Sequence, residues 1–162
     1  MNRITLILAT LLSLIFTQVS AQDYNKGFEA YKAGDYATAL QEWKPLAEQG
    51  KASAQANLGF MYDAGQGVLR DYSEAVKWFR LSAEQGDAYA QFALGTMYEF
   101  GSGVLKSNLT AHMWYNISSA NGDKRGGHHR DMTAALMTDS DISKATAMAK
   151  ECMNSNYKKC GQ

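Results

Sequence analysis

Residues 51–86 and 87–122 are two copies of one 36-residue pattern, identical at 15 positions without a gap. The shared frame reads A-x-A-Q-x-x-L-G-x-M-Y, then G-x-G-V-L, then A-x-x-W, and closes on Gly. A period of this length marks a helical repeat, in which each unit buries its apolar face only against its neighbours. Half of an earlier copy precedes the pair, since Asp35–Gly50 matches Asp71–Gly86 at seven of 16 positions.

The punctuation inside each copy predicts helix–loop–helix. Asp35, Asp71 and Ser107 are one period apart. Each precedes a helical pattern and carries an oxygen able to accept an orphan backbone N–H. Glu74 adds capping-box spacing after Asp71. Gly50, Gly86 and Gly122 keep the same spacing and suit the left-handed residue that ends a helix. Gly65-Gln66-Gly67 and Gly101-Ser102-Gly103 mark the mid-unit turns, and no Lys-Ser/Thr follows either at phosphate-loop spacing. Pro45 is expected to kink the helix that closes the first unit. After Gly122 the frame decays into a helix over 123–136, with a weak Gly126-Gly127 start, a break at Met137-Thr138-Asp139, and a last helix over 141–153. The expectation is all-α, about eight helices and no strand. The units are 24–50, 51–86 and 87–122, with a C-terminal cap over 123–153 and a tail over 154–162.

These residues resemble the Sel-one-like repeat (SLR) family, relatives of tetratricopeptide repeats. The likeness rests on LGxMYxxGxGV at Leu58–Val68 and Leu94–Val104 and on AxxW at Ala75–Trp78 and Ala111–Trp114. The resemblance implies a right-handed superhelical α-solenoid of antiparallel helix pairs that binds other proteins. Exported bacterial members are typically adaptors, envelope regulators or host-contact factors. Some cysteine-rich members bind or slowly hydrolyse β-lactams, but this chain lacks a Cys pair in each repeat.

The first residues read as an address. Arg3, the 13-residue apolar stretch Ile4–Phe16 and the small residues of Val19-Ser20-Ala21 form a signal-peptide pattern over residues 1–21. The apolar stretch is shorter than the ~20 residues a spanning helix needs. Removal leaves a single domain, residues 22–162, with 15 basic and 16 acidic side chains. That balance gives no basic surface for nucleic acid. The expected location is the periplasm, with secretion as the alternative, and no membrane insertion after cleavage. Export also brings an oxidising compartment, where Cys152 and Cys160, the only two cysteines, can pair in one way. The bond would close a short loop and tie the tail to the last helix.

The two copies also define two faces of each unit's first helix. Ala52, Ala54, Gln55, Leu58, Gly59, Met61 and Tyr62 recur in both copies and must fit the neighbours. The positions that vary most fall on the opposite side, where the second copy carries Tyr89, Phe92, Ala93 and Phe100, and Phe60 of the first copy takes the place of Thr96. An outward aromatic arc marks an interaction site. Phe60, Tyr89, Phe92, Thr96 and Phe100 are therefore the candidate partner-binding residues on the concave face. The competing arrangement has residues 123–153 fold back and bury these rings as core.

Chemistry is sparse. There is no G-x-S-x-G, and the S-x-x-K at Ser155–Lys158 lacks its companion motifs. His128-His129 has no accompanying metal-ligand set, and both are expected in solvent or a turn. His112 replaces Val76 of the repeat and is expected to point outward. The sequence thus predicts a non-enzymatic scaffold without metal or cofactor, holding a protein or peptide partner of unknown identity. A β-lactam-interacting protein and a self-associating envelope protein are the alternatives.

Overall fold

The computed structural model describes residues 23–160. The segment expected to be a signal peptide, residues 1–21, lies outside the described residues. Eight helices and no strand occur among them. They are α1 (Tyr24–Lys32), α2 (Tyr36–Glu48), α3 (Ala52–Ala64), α4 (Tyr72–Ala83), α5 (Ala88–Phe100), α6 (Asn108–Ala120), α7 (Lys124–Ala134) and α8 (Asp139–Asn154). Each packs on the next along the solenoid until the end, where α8 returns to pack on α6.

The helix starts follow from their caps. Asp35 accepts the Thr38 N–H, Asp71 those of Ser73 and Glu74, and Ser107 that of Thr110. The capping box is only half formed, because the Glu74 carboxylate takes Lys77 at 3.2 Å and does not reach back. Gly50, Gly86 and Gly122 end α2, α4 and α6 in the left-handed region, with φ of 91°, 88° and 99°. Pro45 lies in the last turn of α2, and the helix runs through it to Glu48.

Close packing within each unit depends on a glycine beneath an aromatic ring. Gly27 lies under Trp43, Gly59 under Phe79 and Gly95 under Tyr115, and a Cβ at any of them would fall within 2.7 Å of the ring. These three rings are almost wholly buried. Side chains at such distances are excluded, so the first helix of each unit can approach the second only where it has no Cβ.

A polar ladder repeats with the same period. Gln55 donates to the Ala47 carbonyl at 3.0 Å, and Gln91 to the Ala83 carbonyl at 3.0 Å. Both reach back to the preceding unit from a buried position. Their amide oxygens in turn accept from Gln85 at 2.7 Å and from Asn121 at 2.8 Å. Ser82 and Ser118 donate to the carbonyls of Ala52 and Ala88 at 2.9 and 2.8 Å. Buried polar groups are tolerable when paired in this way.

The tail closes the ladder. Cys152 and Cys160 form a disulfide, with Cα atoms 4.6 Å apart. The loop it closes carries Tyr157 at φ 62°. The Tyr157 hydroxyl donates to Asn121 Oδ1 at 3.0 Å and accepts from its Nδ2 at 2.9 Å. Its ring lies against Gly86.

One expectation about the cap is overturned. His112 is buried at 3% exposure, not outward. It occupies the place of Val76, itself buried, and α7 and α8 both pack against its helix. Burial pushes its pKa down, and Nδ1 has no partner among the described residues.

Candidate functional site

A pocket of about 170 Å³ opens between α3, α5 and the start of α7. Phe60 and Asp63 come from α3, and Phe79 from α4. Tyr89, Phe92, Ala93, Thr96 and Met97 come from α5, Ser102 from the following turn and Arg125 from α7. Phe60, Tyr89, Phe92 and Thr96 therefore lie together on it, half-buried. Phe100 does not line it and stands in solvent at 68% exposure, one turn beyond Thr96 on α5.

The C-terminal segment covers this face in part. The Arg125 guanidinium sits 4.4 Å from the Phe92 ring centroid and 5.3 Å from that of Tyr89. Asp123 holds it from below, accepting Nε at 3.0 Å and Nη2 at 2.5 Å. One turn on, the His129 ring meets Phe92 edge-on at 5.0 Å and Tyr115 at 5.2 Å. His129 is thus half-buried among rings rather than in solvent, while His128 is exposed. Phe92 also touches Tyr115, with centroids 5.6 Å apart. The last helix, α8, packs on α6 and leaves the pocket open.

Polar groups sit around these rings. Burial pushes the Tyr89 hydroxyl up to about 12. Thr96 Oγ1 donates to the Phe92 carbonyl at 3.2 Å. Burial also raises the Asp63 carboxyl above its ordinary range, an effect that nearby Arg70 opposes. Asp63 is not among the positions that vary most between the copies. It aligns with Glu99, so the frame carries an acid after M-Y in both units. Arg125 and His129 had no such signal, because α7 follows the point where the repeat decays.

Other chemistry does not assemble. Among the described residues no three His, Cys, Asp or Glu side chains are grouped to hold a metal ion. Ser155 Oγ donates to the Cys152 carbonyl at 2.8 Å and accepts the Lys159 N–H at 2.9 Å, so it acts as a helix-end cap. No described helix is long and apolar enough to cross a membrane.

Comparison with known proteins agrees with this architecture. The Sel1 repeat family matches at residues 52–87 and 88–123. The crystal structure of c5321, a protective antigen present in uropathogenic Escherichia coli strains and displaying an SLR fold, is similar over 96% of this chain. The two are 27% identical, with a TM-score of 0.79. A Sel1 repeat protein from Oxalobacter formigenes is similar over 66% of the chain at 34% identity, with a TM-score of 0.62. The matches span 35% and 43% of those longer chains. No curated protein matches. Sel1 repeats generally serve as scaffolds for protein–protein interaction. The chain thus carries two tandem Sel1 repeats in an all-helical solenoid that matches SLR-fold structures.

Proposed function

We propose that the chain is an exported, non-enzymatic adaptor that holds a segment of a partner protein against the groove formed by α3, α5 and α7. The observation that carries this reading is the ring-lined pocket beside an exposed Phe100. Phe60, Tyr89, Phe92 and Thr96 form its walls, and Phe100 stands exposed one helical turn beyond Thr96. Phe92 is braced by Tyr115, His129 and Arg125, so it loses little freedom when a partner docks. Signal-peptide removal would deliver the protein to the periplasm or beyond, where the Cys152–Cys160 bond is stable.

The test is site-specific photocrosslinking in the cells that make the protein. A photoreactive phenylalanine analogue replaces Phe100 in one strain and Leu81, an exposed residue on α4, in another. Capture of one defined protein from position 100 and not from position 81 supports the groove. Equal capture from both positions, or none from position 100, rejects it.

A further inference from the structure

Among the positions at which the two repeats differ, one pair lines the pocket from the first copy and leaves a charge without a partner. In the second unit the Glu99 carboxylate accepts the Tyr115 hydroxyl at 2.5 Å. One period earlier the same two positions are Asp63 and Phe79. Phe79 has no hydroxyl to give, and no donor reaches the Asp63 carboxylate within hydrogen-bond distance among the described residues. Arg70 is the basic group nearest in influence, but it lies over the Tyr72 ring at 5.5 Å and forms no ion pair with Asp63. Arg125, across the pocket, is already held by Asp123 through two hydrogen bonds.

An anion at the edge of an aromatic-walled pocket is complementary to a cation on an apolar stem. Lysine and arginine have that form: methylenes that pack on rings and a charged end that seeks a carboxylate. A pocket of about 170 Å³ admits one such side chain and not a helix. We infer that it receives one lysine or arginine side chain of the partner segment, with the charge on Asp63 and the stem against Phe60, Tyr89 and Phe92. This rests on the groove reading above and names the chemistry the groove selects. Burial of Asp63 is consistent with it, since a half-buried carboxylate held above its usual pKa gains from a cationic partner.

The test titrates the isotopically labelled protein with N-acetyl-lysine N-methylamide. The norleucine derivative, of similar length without the charge, serves as control. Amide NMR signals of Asp63, Phe92 and Thr96 report binding. The lysine ligand is expected to bind about tenfold more tightly than the norleucine ligand, the contribution of one charge-assisted hydrogen bond. Asp63→Asn should remove that advantage and leave norleucine binding unchanged. Equal affinity for both ligands, or a lysine advantage that survives Asp63→Asn, overturns the inference. So does the absence of any shift with either ligand, a result that leaves the groove itself to be judged by crosslinking at position 100. Lysine binding without capture there would sink the adaptor reading and keep the cation site.

Discussion

Tyr115 fills the space that a side chain on Gly95 would need: a Cβ there would stand 2.5 Å from Cδ1 and Cε1 of the ring. The ring is fully buried and its hydroxyl is held by Glu99, so it has nowhere to turn. Gly95→Ala should therefore destabilise the protein by about 1–3 kcal/mol, the usual cost of overpacking. Gly59→Ala, facing Phe79 at 2.7 Å, should cost a similar amount. Urea unfolding of both variants gives the comparison. A change within error for either would mean that the helices separate more easily than the packing implies.

Neighbouring glycines at the start of α7 should respond differently to the same substitution. A Cβ on Gly126 would meet backbone atoms, Ser119 N and Tyr115 O, at 2.7 Å. A Cβ on Gly127 would come no nearer than 3.1 Å, to the rotatable Ser119 Oγ. Gly126→Ala should lower the melting temperature. Gly127→Ala should hold or raise it, through a helix-propensity gain of up to about 1 kcal/mol. Thermal melts of the two single variants decide the matter.

Removal of Gln91 takes two hydrogen bonds out of the interior. Gln91→Ala leaves the Ala83 oxygen with the Gly86 N–H alone and Asn121 without one acceptor. The expected loss is about 0.5–1.5 kcal/mol for each bond. Gln91→Glu should do no better, because an ionised carboxylate cannot donate to that oxygen. Denaturant titration measures both.

The disulfide and the Asn121–Tyr157 pair should act together. Chain-entropy reasoning gives about 2.5 kcal/mol for a loop of this size. Cys160→Ser should lose roughly that amount. It should also make Asn121–Tyr157 contacts irrelevant, so that Tyr157→Phe adds less to Cys160→Ser than it costs alone. A double-mutant cycle followed by chemical unfolding reads the coupling. Strict additivity would show that the tail seats itself without the bond.

Asp63 should weaken the fold at neutral pH. Its folded pKa is raised, so the ionised form is penalised above that pKa, and the penalty disappears as pH falls through it. Asp63→Asn is expected to raise the melting temperature at neutral pH. The advantage should vanish towards pH ~4, near the unfolded carboxyl value. An unchanged difference across that range would show that the carboxylate is better solvated than its surroundings suggest.

What could be read from the sequence was what is local or periodic. The caps Asp35, Asp71 and Ser107 and the closing glycines announce themselves within a few residues, and the 36-residue spacing confirms them. The disulfide was legible because the chain has two cysteines and one way to join them. His112 was misread although the repeat held the answer, since its counterpart Val76 is buried. Contacts made by α7 were beyond reach. Arg125 and His129 lie on a helix that matches no other unit, and only the docking of α7 on α6 brings them to Phe92. For that reason Phe92→Asp would disturb packing as well as the groove, whereas Phe100→Asp, at 68% exposure, touches the surface alone.

The ladder of Gln55, Gln91 and Asn121 has a further implication for how such a chain can lengthen. Each unit offers its successor a carbonyl, and each unit's glutamine takes the one before it. The Tyr157 loop, in contrast, occupies the last rung with a single side chain that both gives and accepts. A duplicated unit inserted ahead of residue 123 would therefore meet matching donors and acceptors on its N-terminal side and pass the same set onward. Growth by whole periods moves the terminal closure along the array without redesigning it, while a partial insertion breaks the rung it interrupts.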